Sequence, residues 1–177
     1  MNLYLDADTR RHMLAELDRD ISEGSLFESA RLSPWGRERW AELLRKALAE
    51  HDDAWLADQL RQPGWLNTVE AVSYDGGRRR YWRPMPEEAP RHLAELEFNR
   101  FFMRGVCARA LETGKSLVLV YRARTTRPRA EVAAKLGTAL DARKLLDDLR
   151  LRVTLEEVLK TPGAFTAGLS VRLVRTA

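Results

Sequence analysis

The sequence predicts an α+β fold: a helical N-terminal part followed by a small, mostly antiparallel sheet of about four strands packed with helices. Three observations carry this. Up to Leu60, apolar residues recur at spacings of three and four, the helical period. From Thr68 the period becomes two and runs into Asp75-Gly76-Gly77, a turn sequence. A long helical stretch then leads to SLVLVYRAR, the clearest strand in the chain. The 177 residues are 45% hydrophobic, which suffices for a core and suits one compact unit. A helical region over 1–66 and an α+β region over 67–177 divide it where the pattern changes.

Residues 8–21 predict an amphipathic helix with Met13, Leu14, Leu17 and Ile21 on one stripe, capped by Asp6 or Asp8 and stopped at Gly24. Ser33-Pro34 opens a second helix, Ser as N-cap and Pro in the first turn, with Trp40, Leu43, Leu44, Ala47 and Leu48 inside. Asp52 or Asp53 caps a third, carrying Trp55, Leu56 and Leu60, which Pro63-Gly64 ends. A β-hairpin follows, its second arm RRRYWRP basic and aromatic. A helix from about Pro90 to Glu112 buries Leu93, Leu96, Phe98, Phe101, Phe102 and Val106, and Gly114 closes it. Residues 130–150 predict one or two helices, the second capped by Asp141. Thr154 and Glu157 form a capping box, and LSVRLV is the last strand.

Composition narrows the function classes. One cysteine, Cys107, excludes an internal disulfide framework and any multi-cysteine zinc site. No apolar run reaches the ~20 residues of a membrane span, and MNLYLDADTRRHMLAELD lacks the apolar core of a signal peptide. A cytoplasmic setting without membrane contact is the expectation. The net charge of +4 conceals an asymmetry: residues 1–75 hold 9 basic and 15 acidic side chains, residues 76–177 hold 21 and 11. Such halves either pack on each other or reserve a face for a polyanion or acidic partner. Of the 30 basic residues 25 are Arg, the pattern of a GC-rich genome, so arginine content alone is weak support for nucleic-acid binding.

Signatures of catalysis are missing. His12, His51 and His92 share no ligand spacing. ETGKS at 112–116 lies between a helix and a strand, the reverse of the phosphate-loop order, and reads as Gly114 closing the helix with Lys115 near its carbonyl end. Asp147-Asp148 and Glu156-Glu157 are adjacent helical pairs pointing in different directions. There is no GxSxG elbow. Cys107 sits in RGVCARA and reads as a small, inert core residue. No catalytic residue, metal ligand or cofactor is therefore assigned.

Two patterns point to binding instead. Arg78, Arg79, Arg80 and Arg83 flank Tyr81 and Trp82, and Arg122, Arg124, Arg127 and Arg129 lie on a strand end and the turn after it. Guanidinium groups bind phosphates in a fork and aromatic rings stack on bases, so these eight arginines are the candidate site for DNA or RNA. If all strands share one sheet, the two clusters join into one basic face. The second pattern is polar residues among aromatics on the long helix. Glu97, Asn99, Arg100 and Arg104 beside Phe101, with Trp82 on the hairpin, are the candidate protein interface; a buried intramolecular pair is the other reading of the charged ones.

The runs EFNRFFMRGVCARA, VLVYRAR, KLGTALDARKLLDDLR and GLSVRLV resemble an uncharacterised family found in phage, prophage and related bacterial genomes. The likeness spans residues 95–175 and carries no catalytic signature. It implies a phage or mobile-element setting, in which small α+β proteins are often virion parts or regulators, so location is cytoplasmic or virion-associated. The function expected is a non-enzymatic assembly or interaction protein, acting as an oligomer or as a subunit of a larger complex. The alternative is nucleic-acid binding through the two arginine clusters.

Overall fold

The long helix α5 (Ala89–Glu112) is the axis of the molecule, buried on nearly every side, with Leu93, Phe98, Phe101, Phe102, Val106 and Ala110 all inside. A helix enclosed all round needs partners on each face. One side is covered by α1 (Ala7–Ser22), α3 (Trp40–Glu50) and α4 (Asp53–Arg61), the other by α7 (Ala142–Arg150), β3 (Leu117–Arg122) and β5 (Leu169–Leu173). Met13, Leu44 and Leu56 from the first region and Val118, Leu146 and Val171 from the second belong to one continuous apolar cluster around α5. The computed structural model describes residues 1, 3–74, 79–123, 130–163 and 167–174.

The α+β architecture is as expected, but the strands divide into two sheets. β1 (Val69–Tyr74) and β2 (Arg79–Pro84) pair antiparallel as a separate two-stranded ribbon. The second sheet has the order β4-β3-β5, all antiparallel, where β4 is the short segment Ala139–Asp141. That third strand was not foreseen. It is 3 residues long and exists through its pairing with Leu117, Val118 and Leu119.

Local signals account for most element ends. The Asp6 side chain accepts from the Thr9 amide at 2.8 Å, Asp52 from Trp55 at 2.8 Å and Asp141 from Lys144 at 2.7 Å. The capping box of α8 (Leu155–Leu159) is complete, Thr154 and Glu157 each satisfying the other's backbone. At the end of α5, Gly114 has φ +72, which lets the Lys115 amide reach the Ala110 carbonyl at 2.7 Å and close the helix. The Lys115 ammonium donates to the Val174 carbonyl at 2.9 Å, tying the helix end to the end of the last strand rather than serving the helix carbonyls.

The single second helix expected from Ser33 is in fact two. α2 (Pro34–Glu38) stops at Arg39 (φ −107, ψ 2), and α3 restarts at Trp40, whose ring is fully buried and whose indole N–H donates to the Phe27 carbonyl at 2.8 Å. Where α1 crosses α5, a Cβ on Gly105 would lie 2.7 Å from Met13 Cγ, so only glycine allows the approach. That approach brings the acidic face of α1 onto the arginines of α5.

Candidate functional site

The residues expected at one interface lie in two different places. Glu97, Asn99, Arg100, Phe101 and Arg104 are buried inside the chain. The expectation that they meet another subunit gives way to the intramolecular reading, because α5 is enclosed and its polar groups find partners on neighbouring elements. Arg104, 1% exposed, donates from Nε to Glu16 Oε2 at 2.9 Å and from Nη1 and Nη2 to Asp20 Oδ2 and Oδ1 at 2.6 and 2.7 Å. Nη2 also reaches the Glu16 carbonyl at 3.1 Å. Arg150, the last residue of α7, grips the same Glu16 through Nε at 3.0 Å and Nη2 at 2.5 Å. Burial raises the Glu16 pKa, but Arg150 and Arg104 outweigh it and hold the carboxyl below its usual range.

Glu97 is in the opposite position. Burial is the largest influence on it and raises its pKa, against the opposing pull of Arg100 and Arg152. Arg100 Nη1 sits 3.2 Å from both Glu97 oxygens, and Arg152 Nη2 is 3.7 Å from Oε1. Arg152 has left-handed backbone (φ 67) and places its guanidinium 3.5 Å from the centre of the Phe27 ring. Asn99 donates to the Leu169 carbonyl at 3.0 Å and accepts from the Ser170 hydroxyl at 2.6 Å, pinning α5 to β5. Glu16, Asp20, Arg150 and Arg152 were not singled out from the sequence. The available signal was two carboxylates four residues apart beside Met13 and Leu17, inside an apolar stripe where solvated residues do not belong.

Trp82 alone of the expected interface residues is at the surface, 72% exposed. The register pairs Ala71 with Trp82 and Ser73 with Arg80, so Val69, Ala71, Ser73, Arg80 and Trp82 share one exposed face of the ribbon. The other four tryptophans are engaged. Trp40 is core, Trp35 packs edge-on to Trp65 at 4.8 Å under the Arg39 guanidinium, and Trp55 stacks on His51 at 4.0 Å. The root of the ribbon is firm: Leu32 bridges Leu66, the Asn67 amide donates to the Arg31 carbonyl at 2.9 Å, and Met85 donates to Thr68 at 2.9 Å. Glu70 clamps the base, accepting from Arg83 Nε at 2.8 Å on one oxygen and from Arg31 Nε at 2.7 Å on the other. Desolvation pushes the Glu70 carboxyl up, yet these two guanidiniums prevail and hold it low. A groove of about 630 Å³ lined by Phe27, Ala30, Asn67 and Trp82 runs beside the ribbon.

The arginine clusters do not join through one sheet. Arg80 and Arg83 belong to the ribbon and Arg122 to β3 of the other sheet. Arg83 is drawn into the Glu70 clamp, and Arg122 is half-buried with interactions of its own. Arg79 pairs with Tyr74 in the register, but its side chain lies outside the described residues, as do Arg78, Arg124, Arg127 and Arg129. Cys107 is fully buried, and burial pushes its thiol up to about 12. Among the described residues no group of three or more His, Cys, Asp or Glu side chains is placed to hold a metal ion, and no helix is long and apolar enough to cross a membrane. Comparison of the chain with family models, curated proteins and solved structures returns no match.

Proposed function

We propose that the protein is a non-enzymatic assembly or interaction protein of phage or mobile-element origin, working as an oligomer or as one subunit of a larger complex, with the β1–β2 ribbon as its docking element. The observation that supports this reading is Trp82. A tryptophan 72% exposed on a firmly rooted ribbon, while the other four are held by contacts, is apolar surface left uncovered by the fold. Tryptophan is the residue type most enriched among the few that dominate interface energies. Both outer edges of the ribbon are also free of strand partners among the described residues, so main-chain pairing is open to a partner.

The test is sedimentation at micromolar concentration of the wild type and Trp82→Ala. The reading expects the wild type to run above 20.3 kDa, alone or with its partner, and the variant to revert towards the monomer with an unchanged far-UV spectrum. A wild type that runs only as monomer and gives no complex in any Trp82-dependent pull-down refutes it. One observation favours a second reading, nucleic-acid binding: Arg80 shares the exposed face with Trp82, a cation beside a ring on which a base can stack. Titration with fluorescent oligonucleotides at about 50 and 200 mM salt separates the two, because phosphate contacts weaken steeply over that range. The protein-docking reading expects no salt-dependent complex.

A further inference from the structure

Met85 donates to the Thr68 carbonyl at 2.9 Å, and the register pairs Val69 with Pro84. In an antiparallel pair, main-chain groups point alternately at the partner strand and away from it. The even-numbered residues of β1 therefore turn theirs to β2, and Val69, Ala71 and Ser73 turn theirs outward. At the root of the ribbon this outward side already has a partner. The Trp65 carbonyl accepts from the Ser33 amide at 2.9 Å and the Asn67 amide donates to the Arg31 carbonyl at 2.9 Å, flanking the Leu32–Leu66 bridge. The short ladder stops there, because the Arg31 amide goes to the Ser29 hydroxyl at 3.2 Å instead. Beyond it, the outward groups of Val69 and Ala71 have no main-chain partner among the described residues. The groove of about 630 Å³ opens at this point, lined by Phe27, Ser29 and Ala30 from the loop and by Val69, Ala71 and Trp82 from the ribbon. A ladder that begins and then breaks off beside a groove leaves a strand position vacant.

The chemistry of the walls selects the occupant. Val69, Ala71 and Trp82 share one face of the ribbon and are apolar. The charged groups in the groove lining are Arg31 and Glu70. Arg83 pairs with the same Glu70, and Arg80 adds a third cation on the Trp82 face, so three guanidiniums stand against one carboxylate. Glu28 of the neighbouring loop is held by Arg37 at 3.4 Å. Arg31 gives Glu70 only its Nε, and Arg83 its Nε and Nη2, so each fork has further donors, on side chains 32% and 45% exposed. A second copy of the ribbon does not match this surface, because its β2 is basic and its one carboxylate is already shared. The outer edge of β2 is the poorer template, since Pro84 has no N–H to offer there.

We infer that the groove takes an extended, acidic segment of a partner protein, added as a third strand along the outer edge of β1. Its main chain pairs with Val69 and Ala71, its alternate apolar side chains lie with Trp82, and the carboxylates between them meet Arg31 and Arg83. This rests on the ribbon being the docking element and names what docks there.

The experiment is fluorescence anisotropy of the protein with a labelled heptapeptide in which Glu and Val alternate. It is run beside the same peptide with Lys for Glu, and beside two N-methylated forms, each blocked at one of the two alternate sets of amides. The Glu–Val peptide is expected to bind saturably, and the Lys–Val peptide at least about tenfold more weakly. One methylated form is expected to lose at least about tenfold and the other to stay within about threefold of the parent, because only every second amide of an added strand faces β1. Ala71→Pro, which removes an outward N–H and no bond to β2, is expected to weaken the peptide about tenfold with an unchanged far-UV spectrum. A Glu–Val peptide that shows no saturable binding up to about 1 mM, that binds no better than the Lys–Val peptide, or that responds equally to both methylations overturns the inference. An oligonucleotide that binds in place of the peptide assigns the groove to nucleic acid and overturns it too. The methylated series on the wild type decides the matter even if Ala71→Pro does not fold. A Trp82-dependent complex in sedimentation without peptide binding leaves the docking reading standing and removes only this inference; absence of that complex removes the reading itself.

Discussion

Replacing Arg104 by Met tests the buried charge network most directly, because the two carboxylates it serves lose very different amounts. Among the described residues, Arg104 supplies Asp20 with its only two side-chain bonds, at 2.6 and 2.7 Å, but Glu16 keeps Arg150 at 2.5 and 3.0 Å. Methionine restores most of the lost volume, so the cavity contribution is small. The dominant cost is Asp20 left charged and nearly buried, which for a broken buried pair is about 3–5 kcal/mol. For a domain of this length that corresponds to a fall in Tm of roughly 6–20 °C. Arg104→Met combined with Asp20→Leu is expected to recover most of the loss, since no unpaired charge then remains; Asp20→Leu alone leaves Arg104 on Glu16 and costs less than Arg104→Met.

The same reasoning fixes a pH dependence. In the wild type, Glu16 is held below its usual pKa, so its contribution is present above the unfolded value of about 4.3 and is lost as the pH falls through the folded value. In Arg104→Met that contribution shrinks, because Arg150 alone is left to hold the Glu16 carboxylate low. The deficit of the variant is therefore larger at pH 7 than at pH 4. Urea unfolding at both values, with m checked for constancy, measures it. A deficit below about 1 kcal/mol at pH 7, or one that does not shrink in acid, would refute the claim that the α1 carboxylates depend on Arg104.

Cys107→Ala is expected to cost on the order of 1 kcal/mol or less, and the native thiol to resist alkylation, as its pKa near 12 implies; rapid labelling at pH 8 would contradict this. Glu97 has a raised folded pKa, so its contribution is greatest below about pH 4.3 and is lost as the pH rises; Glu97→Gln should therefore gain on the wild type between pH 4 and pH 8, and the reverse trend in urea unfolding would sink the assignment. Thr154→Ala removes the capping box and should cost about 1 kcal/mol, whereas Arg61→Ala, which breaks the exposed pair with Asp58, should stay within about 0.5 kcal/mol; equal losses by thermal melts would contradict the difference in role.

What the sequence made legible is what short-range chemistry decides. Asp6, Asp52, Asp141, Thr154 and Gly114 act on groups within a few residues, and each occupies the role its neighbours imply. β4 was not legible, because Ala139–Asp141 becomes a strand only by lying beside Leu117–Leu119, 20 to 24 positions earlier. The division into two sheets was hidden for the same reason: nothing local in β2 or β3 specifies its partner, and the two lie on either side of α5 in the chain. Of the candidate site, Trp82 was visible as an aromatic within a basic run. Phe101 and Arg104 were misplaced because a hydrophobic stripe does not reveal whether its cover comes from the same chain.

The charge asymmetry of the two halves resolves along this line. Glu16 and Asp20 from the acidic half meet Arg104 and Arg150 from the basic half, Asp6 meets Arg109 at 2.6 Å, and Glu70 meets Arg83 at 2.5 Å. Much of the opposing charge is thus spent where α1 docks on α5 and at the ribbon base, not on a single basic face. Charges used internally no longer attract a polyanion, but they set the register of α1 on α5, since sliding one helix by a turn would strand Asp20 or Arg104 without a partner.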